Sequence, residues 1–85
     1  MNASQITITL KINHALDKFV PKHMIRKEME IKIRKDVTID FILKEIVGLS
    51  KKVIPLVFIN GKHAKLQDKL CPGDRVTLWM PMAGG

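Results

Sequence analysis

Residues 71–85 read Cys-Pro-Gly-Asp-Arg-Val-Thr-Leu-Trp-Met-Pro-Met-Ala-Gly-Gly, and this stretch decides the fold. Its opening Cys-Pro-Gly-Asp combines residue types that favour a turn. Val76, Leu78 and Met80 then alternate with Arg75, Thr77 and Trp79, which is the period of two of a half-buried strand. Pro81 cannot donate a hydrogen bond to a sheet and is expected to end that strand. The stretch therefore predicts a turn, a last strand and a flexible tail at 82–85, after a domain at 1–81.

The tail ends in two glycines, Gly84 and Gly85. Because glycine has no side chain and wide backbone freedom, such an end can enter a narrow enzyme channel and present an unhindered carboxylate. We therefore predict that Gly85 is the residue that is chemically activated. The residues expected to thread the partner's active site are Pro81, Met82, Ala83 and Gly84. A second interpretation is a frayed end, where small flexible residues are common.

Two more alternating runs precede this stretch. The first run consists of Ile6, Ile8, Leu10 and Ile12, and the second consists of Met29, Ile31 and Ile33. Two paired strands are therefore predicted. The connection between them is too long for a tight hairpin, and residues 15–20 are expected to form a short helical turn before Pro21.

After Asp36 the apolar spacing becomes helical, at Ile39, Ile42, Leu43 and Ile46. Thr38 is the expected N-cap of this helix, and Gly48 lies near its C-cap. Residues 56–59 then form an apolar run that ends at Asn60-Gly61, a strong hairpin signal. A short strand at 62–64 and a turn at 66–70 complete the predicted order β-β-α-β-β-β.

Composition limits the classes of protein. The chain has 85 residues, one cysteine and a formal net charge of +7. Such a chain forms one modest core. The sequence contains neither a run of about 20 apolar residues to span a bilayer nor the pattern of a signal peptide. We therefore expect a cytoplasmic protein, monomeric by itself and without a membrane partner, whose charge favours acidic surfaces.

The sequence predicts no metal site, because His14, His23 and His63 lack ligand-like spacing with one another or with Cys71. It also lacks a phosphate-binding GxxxxGK[ST] loop, so the chain is expected to bind no cofactor itself. Cys71 beside Pro72 is interpreted as a small apolar turn residue, with a redox or sulfur-relay role as the alternative.

Taken together, the strand pair, the helix, the Asn60-Gly61 hairpin, the Pro-Gly-Asp turn and the Ala-Gly-Gly end resemble the sulfur-carrier branch of the ubiquitin-like β-grasp proteins. That branch includes the small subunit of molybdopterin synthase and the thiamin-pathway carrier. The resemblance covers about the whole chain and is most specific in its last thirty or so residues. It implies an α+β fold, with a mixed sheet of four or five strands and one main helix on one face.

The resemblance also implies a function. A ubiquitin-activating type of enzyme, holding ATP and magnesium, would adenylate Gly85, and a sulfur donor would convert the acyl-adenylate to a thiocarboxylate. A downstream enzyme would accept the sulfur, for molybdopterin, thiamin or a transfer RNA base. The chain would be a carrier and no enzyme. A ubiquitin-like modifier that is joined through Gly85 to protein lysines is the alternative with similar chemistry.

Strand alternation predicts where a partner docks. If Val57, Ile59, Val76 and Leu78 face the core, the outer face carries Leu56, Phe58, Thr77 and Trp79. Exposed aromatic residues on neighbouring strands are typical of a binding site. These four residues are predicted to bind the activating enzyme, a location that the resemblance also implies. The alternative places Trp79 in the core.

Positive charge is concentrated between residues 18 and 35. The cations there are Lys18, Lys22, Arg26, Lys27, Lys32, Arg34 and Lys35, with His23 among them. A solvated face explains most such runs. Phe19 is the only aromatic residue in the segment, so a stacking platform for nucleic acid is weakly supported. A basic module that binds RNA or an acidic protein remains the alternative from another functional class.

Overall fold

The computed structural model describes residues 4–13, 28–49 and 55–79. Five strands are present: β1 (Gln5–Ile12), β2 (Glu28–Arg34), β3 (Leu56–Ile59), β4 (Lys62–His63) and β5 (Arg75–Trp79). They form one sheet in the order β2-β1-β5-β3-β4. β1 and β5 are parallel, whereas the other neighbours are antiparallel. The mixed β-grasp sheet of four or five strands predicted from the sequence is confirmed, with five strands among the described residues.

One helix follows β2 and packs on one face of the sheet. It begins as α1 (Ile39–Phe41) and continues with the wider π-helical winding over Ile42–Val47. The Thr38 hydroxyl accepts a hydrogen bond from the Phe41 N–H at 3.3 Å, which confirms the predicted N-cap. Gly48 ends the helix with φ of 77°, a left-handed conformation that glycine adopts without strain.

The winding changes which side chains are buried. The regular spacing predicted Ile46 as a core residue, but Ile46 is only half-buried and Val47 is buried. The π-helix takes more residues per turn than the α-helix. Val47 therefore rotates toward the sheet at the end of the helix, and Leu49 joins it in the core just after Gly48.

The core lies between the helix and the inner face of the sheet. Its buried apolar residues form one cluster: Ile6, Ile8, Leu10, Ile12, Ile33, Ile39, Ile42, Leu43, Val47, Leu49, Val57, Ala64, Leu70, Val76 and Leu78. The alternating residues of β1 and β5 are all inside it, as the period of two predicts. Ile59, predicted to face inward, is half-buried and packs against the same cluster.

The turns determine how the strands connect. Asn60 and Gly61 have φ of 53° and 83°, the pair of positive values that a two-residue hairpin requires. The segment after β4 returns to the helix, where the carbonyls of Leu66 and Asp68 accept the N–H groups of Asp40 and Ile39. These bonds satisfy N–H groups that a helix start otherwise leaves without partners. In the described part of the chain, no helix is long and apolar enough to cross a bilayer.

Candidate functional site

The outer face of β5 presents an exposed aromatic residue beside buried neighbours. Val76 and Leu78 are fully buried, whereas Trp79 leaves 46% of its surface exposed. The predicted orientation of β5 is therefore confirmed, and the alternative that Trp79 belongs to the core is excluded. Thr77, between the two buried residues, is half-buried on the outer face.

The neighbouring strand β3 extends this apolar surface. Leu56 pairs with Trp79 across the antiparallel register, and Phe58 pairs with Thr77. Leu56 is 36% exposed. Phe58 is half-buried and meets the His63 ring edge-on, with ring centroids 5.8 Å apart. The contact holds the Phe58 ring at one side of this apolar surface. Leu56 and Trp79 are the most accessible apolar side chains of the surface.

These side chains line a groove of about 630 Å³, which we call the outer-face groove. Its lining consists of Lys11, Asn13, Leu56, Phe58, Gly61, Arg75, Thr77 and Trp79. All four residues predicted for partner binding are among them. Lys11 and Asn13 were missed, because they join the groove only through the parallel pairing of β1 with β5. Arg75 lies on β5 itself, in the alternating set with Thr77 and Trp79, but was not predicted as a binding residue. Gly61 belongs to the hairpin turn that the sequence did predict.

The charge of the outer-face groove is positive. Lys11 and Arg75 line it, and no acidic side chain of the described residues does. Arg75 pairs with Glu28 at the start of β2, on the other side of β1. Because both partners are exposed, this pair adds at most about 1 kcal/mol to stability. The groove thus combines an apolar floor with cationic edges.

A hydrogen-bonded clip fastens the hairpin turn to the turn before β5. The Asn60 side-chain amide donates to Asp74 Oδ1 at 2.9 Å, while its Oδ1 accepts from the Arg75 N–H at 2.9 Å. Asp74 Oδ2 accepts from the Cys71 N–H at 2.8 Å. The Asp of the Pro-Gly-Asp turn therefore joins both turns. The clip holds the β3–β5 register on which the outer-face groove depends.

Cys71 lies in this turn, as the sequence predicted. Its side chain is exposed, its backbone N–H donates to Asp74 Oδ2, and its carbonyl accepts from the Asp74 N–H at 3.1 Å. His63 contacts Phe58, and His14 and His23 lie outside the described residues. Among the residues that the structure describes, no three His, Cys, Asp or Glu side chains come together in a way that could hold a metal ion.

Several predicted features lie outside the described residues. They include the end of the last strand at Met80, the tail residues Pro81, Met82, Ala83, Gly84 and Gly85, and the helical turn at 15–20. Lys18, Lys22, Arg26 and Lys27 also lie outside them, whereas Lys32, Arg34 and Lys35 are exposed. Trp79, which lines the outer-face groove, precedes the predicted tail by three residues in the sequence.

Solved structures share this architecture. The solution structure of the Haloferax volcanii HVO 2177 protein aligns with a TM-score of 0.72 and 18% identity, covering 100% of this chain and 92% of that one. SAMP1 of the same organism aligns with a TM-score of 0.68 and 23% identity, over 93% and 99% of the two chains. The ubiquitin of Caldiarchaeum subterraneum aligns with a TM-score of 0.59 and 15% identity, over 95% and 99%. At these identities the likeness shows the ubiquitin-like fold.

Sequence comparison establishes the family. No curated protein matches the chain significantly. A sequence model described as Mut7-C ubiquitin matches residues 5–83, which is nearly the whole chain. The match spans every described strand and the helix, and it confirms the resemblance to ubiquitin-like β-grasp proteins. The chain belongs to the Mut7-C ubiquitin family.

Proposed function

We propose that this chain is a sulfur carrier that a partner enzyme modifies at Gly85. The observation that carries the proposal is the outer-face groove, an exposed apolar surface with cationic edges whose residue Trp79 immediately precedes residues 80–85 in the sequence. A docking enzyme that covers Leu56 and Trp79 would hold the start of that segment and direct its end toward a nucleotide site. The chain acts as a substrate in this scheme, and its partner is the catalyst.

The chemistry places few demands on the carrier. A carboxylate repels nucleophiles because of its negative charge, so it must first be activated. Attack of the Gly85 carboxylate on ATP forms an acyl-adenylate and releases pyrophosphate. The terminal sulfur of a donor persulfide then attacks the acyl carbon and AMP leaves. A thiol finally cleaves the resulting acyl disulfide and frees the thiocarboxylate. ATP and magnesium belong to the activating enzyme, and this chain supplies the surface that the enzyme binds.

Intact mass after reaction tests this function. We expect incubation with the activating enzyme, magnesium ATP and a persulfide donor to replace one oxygen by one sulfur. Fragmentation should place that sulfur at Gly85. Deletion of Gly85, or extension by one alanine after it, should prevent the change while the urea unfolding curve stays the same. Sulfur incorporation that survives the deletion would overturn the proposal.

Conjugation to proteins is a second candidate function. It is favoured by the structural similarity to a protein described as H. volcanii small archaeal modifier protein 1, with a TM-score of 0.64 and 17% identity. Here a lysine amine would attack the same acyl-adenylate and form an isopeptide bond. Peptides carrying a Gly84-Gly85 remnant on lysine would establish this route, whereas sulfur transfer without such peptides would establish the carrier alone.

A further inference from the structure

A second groove lies at the opposite end of the sheet. We call it the Phe41 groove, of about 330 Å³, lined by Ser4, Arg34, Lys35, Asp36, Val37, Thr38 and Phe41. Two backbone bonds shape it. The Lys35 N–H donates to the Ser4 carbonyl at 2.8 Å, and the Val37 N–H donates to the Arg34 carbonyl at 3.2 Å. The groove is therefore built on the turn between β2 and the helix.

Phe41 is the exposed aromatic group of this groove. It is 45% exposed although it lies within the first turn of a helix whose other apolar side chains pack on the sheet. Its backbone N–H is held by Thr38, which fixes the position of the residue. Val37, which is half-buried, continues the apolar surface beside it. An aromatic ring held by the backbone in this way can serve as an anchor for a partner at low entropic cost.

The charges around Phe41 favour an acidic ligand. Arg34 and Lys35 are both exposed, and the described part of the structure gives neither side chain an ion pair. Asp36 is the single acidic residue of the lining, so cations exceed acids there by one. Lys32, which precedes Arg34 by two residues on β2, is exposed and adds a third cation nearby. Arg and aromatic side chains are the types most often found at interface hot spots.

The two grooves are far enough apart to be occupied together. Gln5 at the start of β1 pairs with Arg34, whereas Ile12 at its end pairs with Leu78, the neighbour of Trp79. Eight residues of strand separate these two ends by roughly 23 Å. A ligand that fills only the outer-face groove therefore leaves the Phe41 groove accessible.

We propose that the Phe41 groove docks an acidic peptide segment of a second protein, with one apolar side chain of that segment against Phe41 and its carboxylates near Arg34 and Lys35. This interaction deepens the proposed function, since a carrier held at its outer face by one enzyme could be recognised simultaneously by the protein that supplies or accepts its sulfur. The binding itself does not depend on Gly85 or on ATP.

The probe is a capped synthetic octapeptide with a central phenylalanine flanked by glutamates, titrated into the isotope-labelled full chain. We expect backbone amide shifts confined to Ser4 and residues 34–41, with the Trp79 indole signal unchanged. Phe41→Ala should weaken binding about tenfold, as for a truncated anchor residue. Joint replacement of Arg34 and Lys35 by glutamate should abolish it.

Matched controls separate docking from general charge attraction. Lys62→Glu removes the same kind of charge from β4, and because distant exposed charges are screened, affinity should change by less than about twofold. A peptide with lysines in place of the glutamates should not bind. Urea unfolding of each variant confirms that it remains folded.

Four results would overturn the proposal: absence of binding, shifts centred on Trp79, an equal loss for Lys62→Glu, or tighter binding after deletion of residues 1–3. The last would assign the groove to the chain's own first residues. Because these measurements use neither ATP nor an activating enzyme, their failure would leave the Gly85 chemistry intact. Failure of thiocarboxylate formation would likewise leave peptide docking intact.

Discussion

The inner and outer faces of β5 contain neighbouring residues with opposite roles. Leu78 is fully buried against the helix side, while Trp79, the next residue, has nearly half of its surface exposed. The two side chains point to opposite faces because side chains alternate along a strand. A short sheet can therefore use one face for stability and the other for recognition. Substitutions on the inner face should therefore affect mainly stability, and those on the outer face mainly recognition.

The largest effect is expected from Leu78→Ala. Truncating a fully buried leucine removes apolar contacts and leaves a cavity, so the free energy of unfolding should fall by about 2–5 kcal/mol. Urea unfolding followed by Trp79 fluorescence measures it. The matched control is Thr77→Ala on the outer face of the same strand, for which a loss of no more than about 1 kcal/mol is expected. Equal losses of unfolding free energy in Leu78→Ala and Thr77→Ala would contradict the distinction between the two faces.

Local sequence patterns predicted most of the fold, because each depended on a few adjacent residues. The alternation in β1 and β5, the Thr38 cap and the Asn60-Gly61 hairpin were all confirmed. The same alternation placed Leu56, Phe58, Thr77 and Trp79 on the outer face. Their role in binding a partner stays a prediction, as does the role of Gly85.

Features that depend on distant residues were not predicted. Asn60 and Asp74 are fourteen residues apart, and no local pattern indicates that their side chains meet. The position of Lys11 at the outer-face groove depends on the parallel contact of β1 with β5, two strands that lie far apart in the sequence. The helical spacing likewise did not indicate the π-helical winding of Ile42–Val47.

Substitutions in the clip between Asn60 and Asp74 are expected to have an intermediate effect on stability. The clip belongs to neither face of the sheet and joins the hairpin turn to the turn before β5. Asn60→Gly keeps the positive φ accessible while removing the side-chain bonds, so stability should fall by about 0.5–1.5 kcal/mol per lost hydrogen bond. Asp74→Ala removes acceptors from both Asn60 and Cys71 and should cost about 1–3 kcal/mol.

The double variant sharpens this test. Because both single substitutions break the same Asn60–Asp74 bond, their combined effect should be smaller than the sum, by about 0.5–1.5 kcal/mol. Strict additivity would show that the side-chain bond contributes nothing to the fold. The clip would then act only through its bonds to the backbone N–H groups of Arg75 and Cys71.

The smallest effect on stability, and the largest on recognition, is expected from Trp79→Ala. A core aromatic residue would cost about 3–5 kcal/mol on truncation, but Trp79 is 46% exposed and its loss should cost less than about 1 kcal/mol. If its ring is the anchor for the activating enzyme, binding should weaken by about 2 kcal/mol or more, roughly 30-fold.

Two measurements test this prediction: urea unfolding followed by far-UV circular dichroism, and the adenylation rate at subsaturating carrier. Phe41→Ala is the matched control, since it removes a similarly exposed aromatic residue at the other end of the sheet and should leave adenylation unchanged. Equal slowing by both variants would place the enzyme over both grooves, and unchanged adenylation in Trp79→Ala would remove the outer-face groove from the activation step.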